Sequence, residues 1–192
     1  MLRVRQTIGG VGNLMFKQAY LYSQMRDEII PDIYVQSEKY FEKYKDEVKK
    51  LFGEGIGKDE RISLHIRRGD YLEKNGFYMD LWNSGYYQKA IEYFPEERFL
   101  VFYKDRQGSD DKDFVWCEEN LRPMLKDRMD YHRSGEENDD LNAMASCKGH
   151  IMANSSFSWW AAYLGGGKTV CPVKWFSDGV DRIGLLDEWI KI

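Results

Sequence analysis

This chain is poor in the residues that staple, bridge or interrupt a fold. Among 192 residues there are three cysteines, three histidines and four prolines. Cys117, Cys147 and Cys171 are odd in number and lack the close spacing of a metal knuckle, so reduced core thiols are expected rather than a disulfide framework. No His-x-x-x-His pair is present either, and no structural metal is expected. Long apolar runs are missing too: no stretch approaches the roughly 20 residues that a membrane helix requires. Met1-Leu2-Arg3-Val4-Arg5-Gln6 is broken by charge before a signal-peptide core can form. The expectation is a soluble, cytoplasmic protein without a transmembrane segment. Positive charge is not in excess: 28 Lys and Arg stand against 32 Asp and Glu, a formal charge of -4, which argues against nucleic acid as a partner.

What remains is an ordinary globular composition, 43% hydrophobic and 31% charged, long enough for one good core or two small lobes. The patterning alternates. Leu2 to Ile8 reads as a short strand running into Gly9-Gly10-Val11-Gly12-Asn13, followed by a helix with Phe16, Ala19, Tyr20 and Ser23 on one face. Charges mix with aromatics at helical spacing from Glu38 to Phe52, and Gly53-Glu54-Gly55-Ile56-Gly57 marks a break. Beyond it come a strand from Arg61 to Arg67, a helix opened by Ser84, and a buried strand from Phe99 to Tyr103. A helix from Asp113 to Leu121 is stopped by Pro123, and another is capped by Asp139 or Asp140. A strand from Gly149 to Ala153, a helix from Phe157 to Leu164 ended by Gly165, and a last strand from Lys168 to Cys171 complete the series. Segments 105–112 and 133–140 read as solvated loops. Such β-α alternation predicts a parallel sheet with helices on its faces.

Arg67 and Arg68 carry the strongest chemical signal. Ile62, Leu64 and Ile66 alternate with Ser63, His65 and Arg67, giving a strand with one buried face whose polar face ends in two permanent guanidinium forks. Each fork binds phosphate oxygens through two donors, so the pair suits a diphosphate held without a metal, at the carboxyl end of a strand where α/β sheets keep their ligands. Surface placement is the competing reading, since charged side chains are seldom buried. Asn154-Ser155-Ser156-Phe157-Ser158-Trp159-Trp160 is the second signal: small polar side chains open a helix whose N-terminus can hold phosphate. A plain capped helix with core aromatics is its alternative.

Two glycine clusters carry less. In Gly9-Gly10-Val11-Gly12, Met15 occupies the place where a dinucleotide fingerprint needs Gly or Ala. Gly165-Gly166-Gly167-Lys168-Thr169 imitates a P-loop but follows a helix and opens a strand, which rejects an ATPase.

With His65-Ile66-Arg67-Arg68-Gly69-Asp70-Tyr71 and Asn154-Ser155-Ser156-Phe157-Ser158-Trp159-Trp160 both in place, the chain resembles the α-1,2-fucosyltransferases within the α-1,2/α-1,6/protein O-fucosyltransferase superfamily. Gly9-Gly10-Val11-Gly12-Asn13-Leu14-Met15-Phe16 is similar to that family's opening motif. Tyr86-Tyr87-Gln88-Lys89-Ala90-Ile91, Trp116-Cys117-Glu118-Glu119-Asn120-Leu121 and Asp140-Leu141-Asn142-Ala143-Met144 follow in matching order. The resemblance implies an α/β, GT-B-like fold: a Rossmann-like parallel sheet flanked by helices, with a reduced N-terminal acceptor-side lobe over 1–57 and a nucleotide-sugar donor domain over 58–192. It implies inverting, metal-independent transfer of fucose from GDP-fucose to a glycan hydroxyl, with no cofactor beyond the donor. By that likeness Arg67 and Arg68 hold the diphosphate. His65, Gly10, Gly12, Asn13, Asp140, Asn154, Ser155, Ser156, Phe157 and Ser158 shape the donor pocket. Asp70 and Glu73 are both candidates for the general base.

Three departures stand out. Leu14 replaces the family's usual Gln, Ser109-Asp110-Asp111 is displaced from the end of the Phe99 to Tyr103 strand, and the stretch between the glycine and arginine motifs is short. A same-fold transferase using another nucleotide sugar therefore stays beside the fucosyltransferase reading, as does a catalytically silent nucleotide- or glycan-binding module. A plain structural protein ranks last, because it leaves both motifs unexplained.

Overall fold

A computed structural model describes residues 10–27, 36–69, 71, 76–103, 112–133, 136–180 and 182–192. The Leu2 to Ile8 strand and the Ser109-Asp110-Asp111 element lie outside them. Among the described residues six strands form one sheet: β1 (Asp59–His65), β2 (Phe99–Phe102), β3 (Met129–Tyr131), β4 (Cys147–Ile151), β5 (Lys168–Cys171) and β6 (Ile190–Lys191). Their order is β3-β2-β1-β4-β5-β6, and every neighbouring pair is parallel. This is the doubly wound, Rossmann-like order, in which the winding reverses between β1 and β4 and leaves a crevice outside their carboxyl ends.

The helices are α1 (Val11–Asp27), α2 (Lys45–Phe52), α3 (Tyr86–Glu92), α4 (Lys112–Asn120), the single turn α5 (Arg122–Leu125), α6 (Glu137–Ser146) and α7 (Ser156–Gly165). They divide between two cores. One gathers Phe16, Phe41, Met144, Trp159, Trp160 and Tyr163 from α1, α6, α7 and the segment before α2. The other gathers Tyr86, Tyr87, Phe94, Phe99, Cys117 and Leu121. Phe16 lies 4.7 Å from Trp159 and 5.0 Å from Trp160, while Phe41 stacks on Trp160 at 5.6 Å, so residues ahead of the Gly53–Gly57 break share a core with α7. All three cysteines are buried.

Several boundaries differ from the sequence expectation for identifiable reasons. The polar face of β1 is buried as well: Ser63 and His150 of β4 sit inside the sheet, Ser63 Oγ 2.8 Å from His150 Nδ1, because a central strand in a two-sided sheet has no solvent face. Ser84 does not open α3, since its hydroxyl donates to Leu81 O and Gly85, at φ 76°, takes the N-cap. Pro123 does not simply stop α4; it falls in the first turn of α5, where its missing N–H costs nothing. Glu136, not Asp139 or Asp140, is the N-cap of α6, so helix occupies part of the expected 133–140 loop. α7 extends through Gly165 and closes on Gly166 at φ 69°. The Glu38 to Phe52 stretch breaks into two 3-10 turns before α2. Edge strands β3 and β6, three and two residues long, were beyond a periodicity argument. No described helix is long and apolar enough to cross a membrane.

Candidate functional site

The site begins where β1 runs out. Ile66 N–H still donates to Phe102 O, and the buried Tyr87 hydroxyl donates to His65 O at 3.0 Å, so the chain is fixed up to the first arginine. The guanidinium of Arg67 lies 4.9 Å over the Tyr71 ring. That of Arg68 lies 4.2 Å over Trp116, with its Nε 3.6 Å from Asp113 Oδ1. Asp113 and Trp116 stand three apart on α4, the spacing that puts two side chains on one helix face. Trp82 braces Trp116 edge-on at 4.9 Å. Together these groups enclose a cleft of about 210 Å³ lined by Arg67, Arg68, Tyr71, Tyr78, Trp82 and Trp116 among others. Aromatic faces hold both guanidiniums by cation–π attraction and fix their direction without consuming their donors.

His65 sits directly before the pair. Its ring is buried, 5.9 Å from the Phe157 ring, and its Nδ1 has no hydrogen-bond partner among the described residues. Burial, reinforced by the nearby Arg67 charge, pushes its pKa down to about 3 and keeps the imidazole neutral.

The second motif leaves β4, the strand beside β1. Asn154 is buried, and its side-chain amide donates to Met79 O and Trp175 O, each at 3.1 Å. Ser155 is the N-cap of α7 and accepts from Phe157 N–H; Ser158 Oγ donates to Ala153 O and Ser155 O. The first turn of α7 carries no acidic residue, leaving its positive end uncompensated there. The two motifs touch: the Tyr71 hydroxyl donates to Asn154 O at 3.1 Å.

The glycine motif arrives at the same place from the other end of the chain. Gly12 lies in the first turn of α1, where a Cβ would come within 2.7 Å of the Ser156 and Phe157 backbone, so only glycine lets α1 abut α7 this closely. Asn13 Oδ1 accepts from Ser156 Oγ at 3.3 Å and from Gln36 Nε2. Gly10 is exposed, with nothing near an added Cβ. Asp140 stands further along the same edge, in the first turn of α6, its Oδ1 3.2 Å from His132 Nε2 beyond β3. Asp70 and Glu73 lie outside the described residues. The P-loop mimic is spent on structure: Gly166 and Gly167 take φ 69° and 79°, and Lys168 at the opposite, amino end of β5 donates to Tyr93 O.

Sequence reasoning did not single out Tyr71, Trp82, Asp113 or Trp116 as cleft residues. For Asp113 and Trp116 the signal was available as a helical i, i+3 pair that could face an arginine. Trp82 had no such signal, because only the fold brings the segment after Tyr78 against α4.

The glycosyl transferase family 11 model matches residues 11–190. An α-1,2-colitosyltransferase of Escherichia coli is 32% identical over 186 residues, covering 82% of this chain and 60% of that protein. The O-antigen biosynthesis glycosyltransferase WbnK of Escherichia coli is 30% identical over 144 residues, 68% of this chain and 44% of its own length. Galactoside α-(1,2)-fucosyltransferase 1 of Saimiri sciureus is 33% identical over 118 residues, 57% of this chain and 30% of its own. The chain thus spans 60% or less of these relatives. No solved structure matches it. A match running from the first turn of α1 to β6, through both motifs at the β1–β4 crevice, places the chain in glycosyl transferase family 11.

Proposed function

We propose that this chain is an inverting glycosyltransferase that moves fucose from GDP-fucose to a hydroxyl of a glycan acceptor, with Arg67 and Arg68 gripping the diphosphate. The observation that carries the reading is the pair of guanidiniums at the β1–β4 crevice, each laid on an aromatic ring at 4.9 and 4.2 Å. In the transfer, the acceptor oxygen bonds to the anomeric carbon of fucose while the bond from that carbon to the phosphate oxygen breaks, and GDP leaves with the electron pair. Charge builds on the leaving diphosphate, where preorganised cationic donors and a helix N-terminus stabilise it most. Two guanidiniums supply charge that other transferases take from a metal, which supports a metal-independent reaction. The acceptor proton passes to Asp70 or Glu73.

Within the same proposal, His65, Gly10, Gly12, Asn13, Asp140 and the Asn154 to Ser158 segment complete the donor pocket. Gly12, Asn13, Asn154, Ser155 and Ser158 serve by fixing the α7 N-terminus, since their contacts are internal. Residues 1–57 form the reduced acceptor-side lobe and 58–192 the donor domain. The galactoside fucosyltransferases among the relatives make galactosides the first acceptors to try. The test is calorimetry with GDP in the absence of Mg²⁺: binding is expected, and Arg67→Ala should abolish it. No binding of GDP by the folded protein would overturn the reading.

The 32% identical colitosyltransferase favours a second donor sugar on the same nucleotide-binding frame. A hydrolysis panel of nucleotide sugars differing in base and sugar separates the two.

A further inference from the structure

Beside the arginine cleft the wall continues outwards as an aromatic corner. Tyr71 and Tyr78 stack face to face, 3.7 Å apart with planes 6° from parallel. Tyr78 meets Phe77 edge-on at 4.9 Å and Phe176 at 5.6 Å, and Phe77 lies 5.2 Å from Phe176. The backbone beneath is pinned. Tyr78 and Phe176 form an antiparallel bridge, Met79 N–H donates to Trp175 O, Ser177 N–H donates to Phe77 O, and the Asn154 amide reaches the carbonyls of both Met79 and Trp175. A rigid corner of rings is therefore tied to the end of β4.

Phe77 is 48% exposed even though its neighbours are packed. Leaving part of such a side chain in water forgoes stabilisation that burying it would contribute, and the Arg182 guanidinium lies 6.0 Å from its ring centroid. Arg182 lies over the outer part of the corner, 4.7 Å from the Phe176 ring centroid, and Asp178 pairs with it at 2.7 and 3.1 Å. Within that pair the two charges offset each other. The corner thus offers apolar ring surface bordered by a charge-paired Arg and Asp, next to a cleft that presents two guanidiniums.

A pyranose matches that surface. It carries no charge, one of its faces is a patch of C–H groups suited to an aromatic ring, and its rim of hydroxyls needs donors and acceptors of both kinds. A diphosphate matches the cleft and not the corner. We propose that Phe77, with Tyr78 and Phe176 behind it and the Asp178–Arg182 pair at its edge, holds a neutral sugar ring of the acceptor glycan at the mouth of the arginine cleft. This rests on the glycosyltransferase reading above and names the acceptor subsite that the reading requires. Phe77 is a binding residue on this account and takes no part in bond making.

The test uses the full chain and two probes, lactose and GDP, with lactose binding followed by saturation-transfer NMR and GDP binding by calorimetry. Phe77→Ala removes an exposed ring, and unchanged thermal melting checks that the fold is kept. The expected result is about a fivefold or greater loss of lactose affinity, the scale of one aromatic contact, with GDP affinity within about twofold of the parent. Phe77→Trp should keep lactose binding. Lactose affinity unchanged in Phe77→Ala overturns the proposal, and so does no lactose binding by a parent protein that binds GDP. A parallel fall in GDP affinity overturns it as well, because the ring would then serve the nucleotide. If instead the parent binds lactose through Phe77 but no GDP, the subsite stands and the donor assignment falls.

Discussion

Tyr71 Oη and Asn154 O are joined by a hydrogen bond of 3.1 Å that closes 83 residues of chain. It joins the segment bearing the arginine pair to the segment that opens α7, across the point where the sheet reverses its winding. The Tyr71 ring meanwhile lies between the Arg67 guanidinium, at 4.9 Å, and Tyr78, at 3.7 Å. One side chain therefore sets both the spacing of the two motifs and the direction of one cation.

Those two roles separate in Tyr71→Phe. The ring contacts survive and the hydroxyl goes, leaving a part-buried carbonyl short of one donor. Thermal and urea unfolding should show a loss of about 1 kcal/mol, the usual scale of one such bond. GDP affinity should fall severalfold, because the α7 N-terminus is no longer held to the arginines. An affinity equal to the parent's would show that the two motifs do not act on one ligand.

Arg68→Lys keeps the charge and discards the planar fork. A lysine ammonium stacks poorly on Trp116 and cannot bind two phosphate oxygens in parallel. Calorimetry should register at least about a tenfold loss of GDP affinity with little change in melting temperature, since lysine keeps a cation near Asp113 and that pairing is already long at 3.6 Å. A variant that binds as tightly as the parent would reduce Arg68 to a general positive charge.

How far this architecture could be read beforehand follows from the residues themselves. Phe99 to Phe102 is apolar without a break and Lys168 to Cys171 is flanked by glycine and proline, so both strands announce themselves. Parallel pairing, the helices on both faces and the proximity of the arginine and Asn-Ser-Ser motifs all follow from β-α alternation plus the rule that ligands lie at strand carboxyl ends. The edge strand Met129–Tyr131 carries no such pattern: its central residue is Asp130, whose carboxylate meets Arg61 and Arg98, so a charge pair stands where periodicity looks for an apolar residue. The cleft's second wall was hidden for a similar reason. Trp82 meets Trp116 only through tertiary packing, and no local spacing encodes contact between residues so far apart.

Gly12→Ala and Gly10→Ala test the glycine motif against each other. A methyl group at Gly12 would press on the Ser156 and Phe157 backbone at 2.5 to 2.7 Å, and backbone cannot turn aside as a flexible side chain can. Urea unfolding should show about 1–3 kcal/mol of destabilisation, the range for overpacking, along with weaker GDP binding as α1 is levered from α7. Gly10 has open space, so alanine there should leave stability nearly unchanged. Equal behaviour of the two variants would mean that α1 does not rest on α7 as the geometry requires.

Acid should weaken the fold before most carboxylates titrate. His65 and His150 are buried in the folded chain, and desolvation pushes their pKa values down to about 3 and about 4 from an ordinary value near 6.5. The unfolded chain accordingly binds more protons than the folded one in the interval between, and stability falls as pH falls. It should be level above about pH 7, decline as pH drops through 6.5, and continue to decline until the folded histidines themselves protonate near pH 4 to 3. For His150 alone the difference amounts to about 3 kcal/mol at most. Urea midpoints measured from pH 8 to pH 4.5 should trace this slope, and His150→Gln should flatten it by about half while losing some stability at pH 8 through the broken contact with Ser63. A parent profile that stays flat from pH 7 to pH 5 would mean that these imidazoles reach solvent, and that the polar face of β1 is not sealed inside the sheet.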